Sequence, residues 1–398
     1  MDDPLYVSRQ CVVLSAFAGV LSRRPDALSA VLDKLFALSQ FTPSRGADLK
    51  SIKADTMASR RRACYSLISL AKNKSISQLL VKHLDAIASK VEALLSNCRQ
   101  NTSMFLEMLV RINNESTDAS QSLKFLNSIL TSQLADLSKP PLSTFIMSPE
   151  QLATSLGCTS ATTFDASVYR QHDLDLSRLC GALNSCNAVL RSVKVSQQTQ
   201  PELYGLVCTA AATSLKHCLS LIENVHRLYG SFSSHPVLDS FSTDTTDEVF
   251  TSSRGRVTAL ADVGYAMFAL AMRFPPCLQS IDAAAILRAV VEPLKNSSVH
   301  STVFHFLIGK ALVPFVDLTS IQDRVRLVVP VLQQFAEVMQ TILAQRWNNL
   351  NSRSADNQTG EAVAREVKLS VTVACCDNEC VDEVALLTRY LRTILFER

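Results

Sequence analysis

Residues 77–97 read SQLLVKHLDAIASKVEALLSN, and the spacing of the apolar side chains in this stretch decides the fold class. Apolar residues recur at steps of three and four positions, which places them along one face of an α-helix. Charged and small polar residues fill the other faces. The stretch therefore predicts an amphipathic helix with one buried stripe. The stripe consists of Leu80, Leu84, Ile87, Val91 and Leu94.

The same helical pattern recurs along the chain, whereas the regular alternation of apolar and polar residues that is typical of β-strands does not occur. Glycine is scarce, at 10 of 398 residues, against a usual share of about 7%. Few glycines favour helices joined by short polar connections, because tight turns and β-bulges draw on glycine. These features predict an all-α protein. Further amphipathic stretches are residues 25–38, 120–134, 283–294, 328–347 and 384–396.

The helices pair at a spacing near that of HEAT and armadillo repeats, whose period is about 40 to 47 residues. Residues 1–398 therefore predict a solenoid of helical pairs, each touching mainly its neighbours; a compact helical bundle is the alternative. Longer polar connections are expected near 41–55, 157–166, 231–249 and 352–360. The predicted pairs are 1–40, 56–97, 101–138, 167–230, 250–295, 298–353 and 360–397.

Several residues mark helix starts. Ser148 followed by Pro149 is a typical N-cap with proline at the first helical position, and Pro201 opens another helix in the same way. Aspartates are also placed to accept hydrogen bonds from first-turn amides. These are Asp26, Asp118 and Asp282.

Composition argues against secretion and membrane insertion. Apolar residues make up 47% of the chain and charged residues 19%, yet no basic-then-apolar leader opens it. No uninterrupted apolar run reaches the roughly 20 residues of a membrane span. The 12 cysteines mostly lie in apolar helical patterns, as Cys11, Cys64, Cys208 and Cys218 do, which predicts buried, reduced thiols of a soluble intracellular protein.

Motifs for catalysis, cofactors and metals are missing. The sequence has no phosphate-binding glycine loop, nucleophile elbow or H-E-x-x-H pair, so neither an enzyme nor a cofactor is predicted. The cysteines of ACCDNEC (residues 374–380) lack a nearby histidine or paired C-x-x-C, so no metal site is predicted. His217 and His226 are expected to be ordinary surface or half-buried residues, and Trp347 to pack at a helix end.

One segment, residues 41–74, is strongly basic in a chain whose net charge is only +3. The plain interpretation is a solvated loop followed by a helix start. The alternative is an anionic partner, which would also relieve the conflict between an arginine cluster and the positive end of a helix dipole. The candidate residues that would bind such a partner are Arg45, Lys50, Lys53, Arg60, Arg61 and Arg62.

Five stretches resemble, in order and spacing, a region of the exportin five family of karyopherins. The N-terminal ones are DDPLYVSRQCVVLSAFAGVLSRRPDALSAVLDKLFAL (2–38), RRRACYSLISLAKN (60–73) and HLDAIASKVEALLSN (83–97). The C-terminal ones are VRLVVPVLQQFAEVMQTILAQRWNNLNSR (325–353) and AREVKLSVTVACC (364–376). The region between about 140 and 300 is similar only loosely.

The resemblance implies a non-enzymatic nuclear export receptor that shuttles between nucleus and cytoplasm. It implies Ran-GTP, nuclear pore proteins and structured RNA cargo, such as microRNA precursors or tRNA, as partners. Arg60 and Arg61 match basic positions of the family, Arg62 falls where the family can have histidine, and Arg45, Lys50 and Lys53 match loosely.

Because full-length members of that family are far longer and the Ran-gripping repeats have no counterpart here, the chain is expected to be a fragment or a divergent middle region. The rival hypotheses are a HEAT scaffold that binds only proteins and a helical enzyme.

Overall fold

The computed structural model describes residues 3–43, 49–97, 101–160, 163–231, 235, 237–238, 247–279, 281–296 and 306–356. These residues are almost entirely helical. Extended segments pair, within the described part of the chain, at the isolated antiparallel bridge between Cys158 and Phe164. The predicted all-α fold class is confirmed.

The first half of the chain contains eight helices among its described residues. Their bounds are α1 Pro4–Ala16, α2 Ala18–Leu21, α3 Pro25–Leu38, α4 Leu49–Lys72, α5 Lys74–Leu80, α6 Leu84–Asn97, α7 Thr102–Asn113 and α8 Ala119–Leu137. A 3-10 turn, Val81–His83, joins α5 to α6.

The second half contains four long helices and several short ones among its described residues. They are α9 Leu142–Met147, α10 Pro149–Ser155, α11 Ala166–Ser192, α12 Pro201–Ser231, α13 Glu248–Ala271, α14 Pro275–Gln279, α15 Ala283–Ile286, α16 Val313–Leu318, α17 Ile321–Asp323 and α18 Val329–Asp356. The π-helical turns Leu287–Val291, Leu307–Leu312 and Arg324–Val328 adjoin α15, α16 and α18, and Glu292–Asn296 is a 3-10 turn.

The chain divides into two compact units. The first comprises Met1–Asp136 and Gly181–Ala210, and the second comprises Leu137–Cys180 and Ala211–Arg398.

In the first unit, α1 packs along α4, and α4 packs along α7. Two serines of α4 fix the register of the first contact: Ser59 Oγ donates to the Pro4 carbonyl at 2.6 Å, and Ser66 Oγ donates to the Cys11 carbonyl at 2.8 Å. Both hydrogen bonds span 55 residues, so α1 and α4 run parallel. Helices α1, α4 and α7 form one layer.

The second layer of this unit is built from α3, α6 and α8. An ion pair joins Lys90 of α6 to Asp33 of α3, and the Gln121 amide of α8 donates to Asp85 of α6 at 3.4 Å. Each pair thus contributes one helix to each layer and packs on its sequence neighbour, which is the arrangement of HEAT and armadillo repeats.

The second unit is held by apolar packing and by buried polar contacts. Helix α13 packs against α16 and the π turn before it, and α15 packs against α18. The Asn224 amide of α12 donates to the Ile146 carbonyl at 2.6 Å, and Ser253 of α13 donates to the Leu156 carbonyl at 2.7 Å. These bonds satisfy carbonyls at the ends of α9 and α10.

Most of the predicted caps are confirmed. Ser148 caps α10 with Pro149 at its first position, and Asp118 and Asp282 accept first-turn amide hydrogen bonds. The prediction for Asp26 is wrong: Pro25 takes the first helical position, so the cap position falls on Arg24.

One helix among the described residues, Pro201–Tyr229, is long and apolar enough to cross a membrane, with a mean hydropathy of 1.3 over its most apolar window. Half of that window is buried inside the protein. Core helices of soluble proteins share this length and composition, so the helix is weak evidence for a membrane span.

Candidate nucleic-acid interface

The three adjacent arginines lie in the middle of α4, not at its start. The helix begins at Leu49, about three turns before Arg60, because helix-forming residues run from Leu49 to Lys72 without a glycine or proline. The expected connection at 41–55 is correspondingly shorter. The expected conflict between the arginines and the helix dipole is therefore wrong, since dipole effects fall off within the first turn.

Arg60 points towards the protein. Its side chain is half-buried, its Nε donates to the Phe41 carbonyl at 2.7 Å, and one terminal nitrogen donates to Thr42 Oγ1 at 3.1 Å. These bonds hold the segment that follows α3 against α4. Arg60 therefore has a structural role that its sequence position did not indicate.

Arg61 and Arg62 are exposed and belong to a continuous exposed face of α4. We call this face the α4 stripe; it consists of Ala58, Arg61, Arg62, Tyr65, Ser69 and Lys72. These positions follow one another at steps of three and four, so their side chains neighbour each other along the helix surface. The stripe carries three positive charges, and the nearest acid on the exposed side of α4 is Asp55.

The position of Arg62 is also visible in its effect on α1. Burial raises the pKa of the Cys11 thiol to about 11, and the positive charges of Arg62 and Lys34 oppose that rise. Arg62 thus lies close to the contact of α1 with α4. An exposed guanidinium at this position can make forked hydrogen bonds to phosphate oxygens.

The exposed charges of the second layer differ from those of α4. Its helices carry both signs on their exposed faces, and Lys90 is paired with Asp33. An extended anion would therefore meet a more positive surface on α4 than on α3, α6 and α8. The exposed charged residues of the second layer are Asp26, Asp33, Lys34, Asp85, Lys90, Glu92 and Lys124.

Some predicted residues lie outside the described part of the protein. These are Arg45, the side chains of Lys50 and Lys53, the side chain of Trp347, and the cysteines of residues 374–380. Lys50 and Lys53 fall within the backbone of α4. Their contribution to an interface stays a prediction.

Sequence reasoning did not single out Tyr65, whose side chain is 58% exposed in the middle of the α4 stripe. A signal was available, because Tyr65 follows Arg61 and Arg62 by four and three residues. That spacing places an aromatic ring beside two guanidinium groups on a helix.

A buried cysteine–histidine pair is the other arrangement with chemical interest. Cys158 Sγ lies 3.5 Å from His235 Nδ1, which also accepts the Val237 amide at 3.2 Å, and Nε2 donates to the Thr163 carbonyl at 2.9 Å. Burial raises the pKa of the Cys158 thiol to about 12. The sulfur therefore stays protonated at neutral pH, unlike a nucleophilic thiolate, and the pair holds two segments of the second unit together.

Within the described residues, no group of three or more His, Cys, Asp or Glu side chains could hold a metal ion.

Comparison with known proteins identifies similarity to one family. A sequence model of the Exportin-5 family matches residues 1–242, more than half of the chain. Exportin-5 of Dictyostelium discoideum is 28% identical over 162 residues, which cover 40% of this chain and 14% of that protein. The chain thus spans a small part of the relative's length.

Proposed function

Because the chain belongs to the Exportin-5 family, we propose that it acts in exportin-type nuclear export and that structured RNA is its cargo. The family match covers residues 1–242, which include the whole α4 stripe. In this proposal Arg61 and Arg62 bind RNA phosphates, and Lys72 adds positive charge two turns from Tyr65.

The observation that carries the proposal is the exposure of Arg61 and Arg62 on one face of α4. Duplex RNA is recognised mostly through its backbone and 2′-hydroxyls, so a row of exposed guanidinium groups suits it without an aromatic platform. Forked hydrogen bonds from arginine match the geometry of phosphate oxygens. Arg60 is left out of this set because Phe41 and Thr42 already take its donors.

Further partners follow from family membership. We propose Ran-GTP and nuclear pore proteins as partners, with shuttling between nucleus and cytoplasm and without membrane insertion. MicroRNA precursors or tRNA are the proposed cargo class, since both present structured duplex regions. The 1–398 chain is proposed to form one array of helical repeats.

The test is filter binding of an RNA hairpin over a salt series. We compare wild type with the double variant Arg61→Gln/Arg62→Gln. Each lost phosphate contact lowers the salt slope by roughly 0.7 to 0.9, so the double variant is expected to lose about 1.4 to 1.8 units of slope. Hairpins of different sequence should lose affinity by a similar factor, because phosphate contacts carry no base information.

A matched control is the double variant Arg23→Gln/Arg24→Gln. It removes the same charge from two exposed arginines outside α4. We expect its salt slope to stay near that of wild type. Equal slopes for wild type and the Arg61/Arg62 variant would contradict the proposal.

A second candidate function is a protein-binding scaffold. It is favoured by large apolar side chains that α1 and α2 leave exposed, together with an open depression of about 540 Å³ lined by Phe17, Val20, Arg23 and Arg24. Exposed apolar patches often mark protein interaction sites. If the protein does not bind RNA even at low salt, that result would favour this candidate. The exposed side chains are Leu5, Tyr6, Val12, Val13, Phe17 and Val20.

A further inference from the structure

Helix α1 is apolar on two opposite sides. Val7 and Cys11 are buried on the side that packs against α4. The other side, continued by α2, carries the six exposed apolar side chains from Leu5 to Val20, which are 47% to 63% exposed. A helix that is hydrophobic all round is usually buried all round, and an edge of a repeat array that stays uncovered needs a polar outer surface. We call this second side the outer face of α1 and α2.

The outer face contains a depression that fits a bulky side chain. Helix α1 ends at Ala16 and α2 begins at Ala18, because Phe17 leaves the helical conformation at a φ of −83° and a ψ of 14°. The depression of about 540 Å³ lies at this break, and the small residues Ala16 and Gly19 form part of its lining. A Cβ at Gly19 would meet no atom within 4 Å. The depression is therefore a hole into which another helix can insert a side chain.

The charges of the outer face indicate which helix fits it. Between Asp3 and Asp26 the chain contains three arginines and no acidic residue. The arginines are exposed, and none of their guanidinium groups pairs with an acid among the described residues. A second copy of the chain would bring two positive faces together, which is unfavourable, whereas carboxylates would complement them. The three arginines are Arg9, Arg23 and Arg24.

We propose that the outer face of α1 and α2 binds an amphipathic helix of a partner protein, with a bulky apolar side chain in the depression and carboxylates beside its apolar stripe. The stripe would cover the exposed side chains from Leu5 to Val20, and the carboxylates would pair with the three arginines. The partner helix would extend the layer of α1, α4 and α7 by one member. The inference names a partner for protein binding, the second candidate function, and does not depend on RNA binding.

The experiment measures fluorescence anisotropy of labelled helical peptides with the full chain. The acidic peptide has leucines at steps of three and four and glutamates beside them, and in two matched peptides glutamine or lysine replaces every glutamate. The acidic peptide is expected to bind about three- to a hundred-fold more tightly than the glutamine peptide, because it gains three exposed ion pairs. The lysine peptide should bind most weakly. The advantage of the acidic peptide should shrink as the salt concentration rises.

Two variants locate the binding site on the outer face. Gly19→Leu fills the depression and should weaken binding of the acidic peptide by about ten-fold or more, as loss of an anchor contact does. The variant should still fold, because leucine favours a helix more than glycine does, and thermal unfolding checks this. Arg23→Glu/Arg24→Glu should lose the acidic peptide and bind the lysine peptide more tightly than wild type does. Lys124→Glu/Lys139→Glu, the matched control, makes the same charge change at exposed lysines elsewhere and should leave the order of the three peptides unchanged.

The remaining outcomes contradict the inference. If none of the peptides binds, or if the acidic and glutamine peptides bind equally well, the inference fails while the RNA proposal stands, because no RNA is present. A dimer that Gly19→Leu dissociates in light scattering would assign the outer face to a second copy of the chain. Binding to phosphatidylserine vesicles without binding to the acidic peptide would assign it to a membrane surface.

Discussion

Arg60, Arg61 and Arg62 are adjacent in sequence, but a helix turns by about 100° per residue, so they face different surroundings. Arg60 reaches the chain after α3, whereas Arg61 and Arg62 face outward on the α4 stripe. In this run of three identical side chains, Arg60 thus has a structural role, whereas Arg61 and Arg62 are candidate RNA-contact residues. Substitutions at these positions should have different effects.

Arg60→Gln is expected to lower the free energy of unfolding by about 1 to 2 kcal/mol, because it removes charge-assisted hydrogen bonds to Phe41 and Thr42. Arg61→Gln should change stability by less than about 0.5 kcal/mol, as expected for an exposed position. Urea unfolding of both variants is the measurement. Equal stabilities would contradict the structural role of Arg60.

His226 shows how burial changes a titrating residue. The sequence pattern predicted a surface or half-buried histidine, but the side chain is 0% exposed and Nε2 hydrogen-bonds with the Tyr265 hydroxyl. Burial lowers the pKa of His226 to about 3 from a usual value of 6.5. The imidazole is therefore neutral in the folded protein at neutral pH.

This pKa predicts acid sensitivity. The unfolded chain binds a proton at His226 below pH 6.5, while the folded protein does so only near pH 3, so stability falls as the pH drops through that window. The slope contributed by one proton approaches about 1.4 kcal/mol per pH unit. Urea unfolding between pH 7 and pH 4.5 should show a shallower decline for His226→Gln than for wild type. His217→Gln serves as the comparison at a less buried histidine, and parallel curves for wild type and His226→Gln would disprove the assignment.

At the scale of elements, the turn after α10 depends on one glycine. Gly157 has a φ of 82°, and the amides of Gly157 and Cys158 donate to the carbonyls of Thr154 and Ala153, a Schellman arrangement. A Cβ at position 157 would lie 2.6 Å from Phe164 Cε2 and 2.8 Å from the Asp165 carbonyl. Both the backbone conformation and the space exclude a side chain.

Gly157→Ala is therefore expected to destabilise the second unit by at least 1 to 3 kcal/mol. Thermal unfolding is the measurement. The control is Gly181→Ala, because a Cβ there meets no atom within 4 Å and alanine favours a helix. A variant at Gly157 as stable as that control would contradict the steric argument.

Burial was predicted correctly where the signal was local, although the single helix expected over residues 77–97 is divided by the 3-10 turn Val81–His83. Leu84 and Val91 of the opening stretch are buried as expected, each 2% exposed, because burial follows helical spacing. The role of Arg60 could not be predicted, since its partners lie 18 and 19 residues away. His226 was misjudged for the same reason: its partner Tyr265 is 39 residues distant, and periodicity does not reveal contacts between helices.

At the scale of the whole molecule, family membership predicts partners that this chain alone should bind weakly. The matched segment covers 14% of the Dictyostelium relative, and tight complexes usually bury wide, complementary surfaces. Isothermal calorimetry of the purified chain with Ran-GTP is expected to show no tight complex. The control is an intact exportin of the same family under identical conditions, and submicromolar affinity of this chain alone would contradict the prediction.

The register between α1 and α4 has a consequence for evolution. Two serines, Ser59 and Ser66, anchor the helices at the same offset of 55 residues, so alignment of the helices is set by contacts between them. The connection after α3 spans the distance between the helices but does not set their alignment. Insertions and deletions there should accumulate between homologues more readily than substitutions at Ser59 or Ser66, and one helical stack can thus carry loops of many lengths.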